Sequence, residues 1–251
     1  RLVFGHGMVA WEYLDGARTW AVPGFVAVWL WLAKLFGATT TGAYIHLTKL
    51  VFSALSCVAA VGVYRLARRF EARELEASVA AAAWSLCALA LYFSPRAMSE
   101  NLAAVCIVWG LALLFPLPRG EGPRRGGAGR PLLVGASLLG AATLFRLQSG
   151  MVCLTVVLVF AVHGFRTRAW KPLALLFGTL CIWALLFGAW DAAAWHDLPR
   201  AKYGGWFHSA FVYYDENITK NRGAAWGVAD AGYYFRALFS AMPGVTVALG
   251  V

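Results

Sequence analysis

Residues 172–193 read PLALLFGTLCIWALLFGAWDAA, with no charge before Asp191, and this stretch decides what kind of chain the sequence encodes. A helix that crosses a bilayer needs about 20 consecutive, mainly apolar residues. Working outward, comparable runs recur at 23–36, 43–64, 75–93, 99–117, 131–147, 149–165 and 235–251. The whole chain of 251 residues is 61% hydrophobic and 14% charged, whereas soluble domains run about 45–50% apolar and about 25% charged. A transmembrane barrel would show short alternating segments in place of long runs. The expected fold is therefore an all-α membrane protein, a multi-pass helical bundle.

The net charge of +10 raises the question of nucleic acid, and the distribution of the charge excludes it as a partner. Half of the 22 Lys and Arg fall into three short loops between apolar runs: Tyr64–Glu74, Pro116–Pro131 and Gly164–Lys171. Basic residues in short loops mark the cytoplasmic side. Two apolar runs separate each of these loops from the next, so 43–193 is expected to form six transmembrane helices with all three basic loops on one side. Residues 1–42 then lie on the outer side. Run 23–36 is short and carries Trp29, Trp31 and Lys34, so it is expected to lie in the interface, not to cross. Residues 194–234 form a second outer loop, and 235–251 begin a further transmembrane helix. The chain starts with Arg1 and stops inside an apolar run, which reads as a fragment of a larger protein.

Chemistry is expected on the outer side, where the unusual residues collect. Ionisable groups at membrane depth are costly and often functional. Arg96 lies in the turn Ser94-Pro95-Arg96-Ala97-Met98-Ser99-Glu100-Asn101, where Pro95 ends one helix and Ser99 can cap the next. It is either a snorkelling side chain in a plain hairpin or a guanidinium aimed at a phosphate. Arg146 interrupts two apolar runs and carries the same pair of readings. Asp191 closes a helix where an acid opposes the dipole, so a partner or a role is expected. The loop 195–234 interleaves Trp206, Tyr213, Tyr214 and Trp226 with Asp215, Glu216, Asn217 and Asn221. Rings beside hydrogen-bonding groups suit a sugar, although an aromatic belt is the plainer reading. Asn217-Ile218-Thr219 is a glycosylation sequon. Cys57, Cys87, Cys106, Cys153 and Cys181 all lie in apolar runs and are expected to be small buried residues, neither disulfides nor ligands. No metal and no cofactor is expected.

Several strings together resemble the dolichyl- or polyprenyl-phosphate-mannose-dependent mannosyltransferases of glycosyltransferase family 22, the group that includes enzymes of GPI-anchor and N-glycan precursor synthesis. They are Arg1-Leu2-Val3-Phe4-Gly5-His6-Gly7 with Trp11-Glu12-Tyr13 and Ala17-Arg18-Thr19-Trp20, then the Pro95–Ser99 turn, then Asp191, and last Asn217–Asn221 with Gly223, Trp226-Gly227 and Tyr233-Tyr234-Phe235. Two of them depart from the family pattern, which has Asn-Ser at the positions of Glu100-Asn101 and an Asp-x-x-x-Tyr-Gly segment starting at Asp191, from which Ala194-Trp195-His196 differs. The resemblance implies a GT-C fold with interfacial helices in the first outer loop. It also implies inverting transfer of a hexose, mannose, from a polyprenyl-phosphate donor to a lipid-linked glycan acceptor on the periplasmic or lumenal face. The membrane is the bacterial cytoplasmic membrane, or that of the ER in a eukaryote. The catalytic Asp is expected upstream of Arg1. Candidate substrate-binding residues are Glu12, Arg18, Arg96, Arg146, Asp191, Asn221 and Trp226. The alternative reading is a transporter or binding protein for an amphiphilic or lipid-linked sugar.

Overall fold

The structure is a computed structural model, and it describes residues 3, 13, 15–38, 40–116, 129–195, 205–222, 224, 230, 232, 233, 236 and 240. Among these no β-strand occurs. The helices are α1 (Ala21–Leu35), α2 (Thr41–Arg69), α3 (Glu74–Leu86), α4 (Ala88–Phe93), α5 (Ser99–Leu114), α6 (Gly129–Phe145), α7 (Gly150–Thr167), α8 (Trp170–Trp195) and α9 (His208–Tyr214). A 3-10 turn at Leu147–Ser149 joins α6 to α7, and a π turn at Asp215–Thr219 follows α9.

Local signals place most of these boundaries. Thr40 Oγ1 accepts the Ala43 N–H at 3.3 Å and caps α2, while Arg68 and Arg69 in its last turn complement the helix dipole. Glu74 and Glu76 do the same for the start of α3, and Glu76 Oε2 accepts the Arg73 N–H at 2.8 Å. Ser99 is not the cap expected of it: Met98 holds that position, and the Ser99 hydroxyl donates to Glu100 Oε2 at 2.8 Å. The carboxylate next in sequence is simply the better acceptor within reach. The run 75–93 is also not one helix, because the backbone leaves helical geometry at Cys87 (φ −58°, ψ 129°). No Pro or Gly marks that break, so an apolar run gave no warning of it.

Among the described residues three helical segments are long and apolar enough to cross a membrane: α2 with 29 residues, Leu147–Thr167 with 21 and α8 with 26, with 18-residue stretches at mean hydropathies of 1.8, 1.8 and 2.1. Helices α1, α5 and α6 are apolar but shorter. The bundle's interior is thin. Leu114, Ala136, Leu139, Cys153, Val156, Phe160 and Leu176 from α5 to α8 make its core, and Val22, Phe52 and Leu102 make a second cluster with Phe25 and Phe145. Much of the remaining apolar surface faces outward, as at Leu154, Leu158, Ile182 and Leu185, which is the arrangement a lipid solvent allows. Of the five cysteines only Cys153 is buried, and Cys57 and Cys181 are exposed. That corrects the expectation that all would be interior: a thiol is equally at home on an apolar outer face.

Close approach depends on small residues, as in other membrane bundles. A Cβ at Gly110 of α5 would meet the Gly135 carbonyl oxygen of α6 at 3.0 Å, and one at Gly140 of α6 would meet Trp183 Cγ of α8 at 2.3 Å. The alternating helices give the bundle two distinct ends. At one end stand Arg65, Arg68 and Arg69 against Trp109 and Leu113. At the other, residues 17–19, 99–100, 144–148 and 209–217 converge on a cavity.

Candidate functional site

The cavity has a volume of about 240 Å³ and is built by three joints. The first loop is tied to the end of α6, where Thr19 Oγ1 donates to the Leu144 carbonyl at 2.6 Å. The loop after α8 is tied back to that helix: Asp191, fully buried, accepts the Ser209 N–H at 2.7 Å and its hydroxyl at 2.8 Å. Gln148 Nε2 donates to the Tyr213 hydroxyl at 2.5 Å, joining the 3-10 turn to α9. Each joint links segments far apart in sequence.

His208 locks the first loop against α9. Its ring stacks on Trp195 with centroids 4.8 Å apart and lies so near Gly16 that a Cβ there would sit 2.4 Å from Nε2. Gly16 has φ +82°, a conformation that favours glycine. Burial pushes the His208 pKa below its ordinary 6.5, and a hydrogen bond with the Asp15 backbone opposes that shift.

Charge is concentrated in the cavity wall. Arg146 pairs with Glu100 across the α5–α6 boundary. The buried Glu216 meets Arg222 Nε at 2.7 Å and also pairs with Lys220, which in turn reaches Asp215 at 3.0 Å. Hydrogen bonds to Glu216, and secondarily to Asp215, hold Lys220 above its usual pKa. Arg18 is exposed at the rim. Guanidinium groups, carboxylates and the amide and hydroxyl groups of Gln148, Tyr213 and Asn217 thus share one water-accessible space beside apolar Phe145 and Phe187. Such a space can hold a polar, anionic group while an apolar tail runs along the bundle. Among the described residues no cluster of His, Cys, Asp or Glu is suited to hold a metal ion.

Of the residues expected from sequence, Arg18 and Arg146 line the cavity. Arg96 does not: it is exposed and lies 3.9 Å over the Tyr92 ring, an aromatic partner that a bare turn motif does not reveal. Asn101 Nδ2 instead uses that turn, donating to the Phe93 and Arg96 carbonyls at 2.8 Å each. Asp191 does not line the cavity either; its two bonds to Ser209 make it an anchor. Helix α8 continues past it to Trp195, because those bonds offset the unfavourable dipole. Asn221 is exposed, with φ +46°, and the next residue, Arg222, is the one that reaches the cavity. Glu12 and Trp226 lie outside the described residues. Asn217 donates to the Tyr213 carbonyl at 3.0 Å and lines the cavity, so the sequon asparagine is engaged inside the site. Sequence reasoning did not single out Glu100, and it named Glu216 only as one of the hydrogen-bonding groups of the loop after Trp195. The departure at Glu100-Asn101 was a signal for the first, and the spacing of Glu216 and Lys220 a weaker one for the second.

Among the described residues an all-α bundle, with three segments long and apolar enough to cross a membrane and a polar cavity at one end, is consistent with a membrane glycosyltransferase. The model of the Alg9-like mannosyltransferase family matches residues 1–250, and the chain belongs to that family. No curated protein and no solved structure matches it. Membership makes the protein a membrane mannosyltransferase, with a lipid-linked sugar donor and a glycan acceptor as its substrate classes.

Proposed function

We propose that this protein moves a mannose from a polyprenyl-phosphate donor to a lipid-linked glycan acceptor, with inversion, in the cavity bounded by Arg18, Arg146 and Arg222. The observation that carries the reading is the meeting of these guanidinium groups with Glu100 and Glu216 at the end of the bundle opposite the arginine-rich loops. By the positive-inside rule that end is periplasmic or lumenal. In this reading α2, the α3–α4 pair and α5 to α8 cross the membrane, and α1 lies in its interface.

Inverting transfer breaks the bond between the sugar C1 and the phosphate oxygen, while the acceptor oxygen bonds C1 from the opposite face. The proton of the acceptor hydroxyl passes to a carboxylate, and negative charge builds on the departing phosphate. Arg146 and Arg18 stabilise that charge. Arg146 is oriented for this by Glu100, which occupies part of its fork and leaves other N–H groups to donate. Tyr213, Asn217 and Gln148 bond sugar hydroxyls. The base in this reading is the Asp that the family resemblance implies, and Glu12 and Trp226 remain substrate-binding candidates from that resemblance.

The reading is tested by expressing the full-length gene and measuring mannose transfer from polyprenyl-phosphate-mannose to lipid-linked acceptors in isolated membranes. Arg146→Ala and Arg222→Ala are each expected to lower transfer by about 10²-fold or more, as loss of one preorganised charge does. Full activity in both variants, at wild-type protein levels, overturns the assignment.

A further inference from the structure

The bundle's other end carries a second cleft, of about 270 Å³, lined by Arg65, Arg68, Arg69, Trp109, Ala112 and Leu113. We propose that it binds the phosphate of an anionic membrane phospholipid. Arg68 and Arg69 each stand one turn along α2 from Arg65, and all three are exposed. Among the described residues no carboxylate lies within ion-pair distance of any of them.

Balancing the α2 dipole does not account for three cations. About half an elementary charge sits at a helix C-terminus, and Arg68, in the last turn, already meets it while donating to the Ala72 carbonyl just past the helix at 2.8 Å. The Arg65 guanidinium lies 4.9 Å over the Trp109 ring. That stacking occupies its face and leaves its in-plane N–H groups to donate. Trp109 is itself fixed, its Nε1 donating to the Val58 carbonyl at 2.8 Å. Arg65 is therefore a preoriented fork beside two further cations. Like charges this close repel unless an anion joins them.

A lipid headgroup is the source of that anion which the position favours. The cleft sits at the end of a 29-residue apolar helix, where the headgroup layer falls when α2 spans. The outward-facing Val58 and Val61, 43% and 49% exposed, offer an apolar track one to two turns along the helix for an acyl chain. A phosphodiester there is held by bidentate guanidinium contacts, and its tails stay in the bilayer. Nothing in this proposal depends on the sugar-transfer reading of the opposite cavity.

The test is native mass spectrometry of the detergent-purified full-length protein titrated with phosphatidylglycerol, phosphatidylcholine or inorganic phosphate. The variants are Arg65→Gln/Arg69→Gln, Arg69→Gln alone, and Arg166→Gln/Arg168→Gln as a control that removes the same charge from another basic loop. Phosphatidylglycerol adducts are expected on the wild type. The Arg65/Arg69 double variant should bind about tenfold or more weakly and Arg69→Gln should fall between, since each basic side chain at an anionic headgroup contributes roughly a fivefold factor, whereas the control should match wild type because its two arginines lie outside the cleft. Equal retention of phosphatidylcholine, equal loss in the control, or unchanged binding in both cleft variants overturns the proposal. Saturation by inorganic phosphate with no retained lipid also overturns it, because the anion is then a soluble one. Mannosyl transfer measured on the same variants separates this site from the cavity.

Discussion

The carboxylate of Asp191, near the end of α8, accepts two hydrogen bonds from Ser209, one from its N–H at 2.7 Å and one from its hydroxyl at 2.8 Å. This pair is the joint through which α9 is held to α8 beside the cavity. Asp191→Ala leaves both Ser209 donors buried without an acceptor. The expected cost is about 2–3 kcal/mol, because hydrogen bonds to a charged group are the strong ones. Thermal unfolding in detergent reads it as a lowered midpoint, and activity falls with it through loss of the loop, not of a reacting group. A variant that melts with the wild type refutes the anchoring role.

Glu100 and Arg146 form a second pair, across α5 and α6, with side chains 40% and 35% exposed. Partial exposure screens it, so a double-mutant cycle of Glu100→Ala and Arg146→Ala should give a coupling of only about 0.5–1 kcal/mol in stability. In mannosyl transfer the Arg146 variant should lose far more than this coupling explains, and Glu100→Gln should lose less than Arg146→Ala. Equal losses in both would mean that Arg146 acts only as a structural partner.

His208 makes the first loop sensitive to acid. Its folded pKa lies below the ordinary 6.5 because burial disfavours the charged ring. The unfolded chain therefore binds the proton first as pH falls. Stability is fully present above about 6.5 and declines as the pH drops below that value towards the folded pKa. The melting midpoint of the wild type should fall between about pH 6.5 and pH 5 more steeply than that of His208→Phe. Parallel curves for the two proteins would exclude His208 as the source.

Gly140 is a test of the bundle itself. A Cβ there meets Trp183 Cγ at 2.3 Å, so Gly140→Ala must push α6 from α8 or rotate the indole. Overpacking of this kind costs about 1–3 kcal/mol. Gly140→Ala should cost less in a Trp183→Ala background, which removes the Cγ and Cδ1 that the new Cβ meets, than in the wild type, whereas an unperturbed Gly140→Ala protein would contradict the observed contact.

The two ends of the bundle are expected on opposite sides of the membrane. With Cys57 and Cys181 replaced by Ala, a cysteine at Trp206, which is 53% exposed, should react with an impermeant maleimide from the outer or lumenal side. One at Glu121 should react only from the cytoplasm. Labelling of both from one side would sink the topology and, with it, the face assigned to the cavity.

Apolar runs and loop charges were enough to read an all-α membrane bundle, because lipid demands long apolar helices and basic loops orient them whatever the neighbours are. Scattered motifs were enough to reach the family and, with it, Arg18, while Arg146 stood out as a charge between two apolar runs. The break at Cys87 was illegible, since hydrophobicity does not say where a backbone leaves its helix. The roles of Arg96 and Asp191 were equally hidden: one lies on Tyr92 and the other is bound by Ser209, contacts that exist only once the chain is folded. The cavity is the clearest case. Residues from 17 to 222 come together there through Thr19 on Leu144, Gln148 on Tyr213 and His208 under Gly16. Sequence determined the bundle and its two charged ends, because each segment's partition into lipid is its own property. Only tertiary structure decided which charges face one another, because pairing depends on distances that no single segment contains.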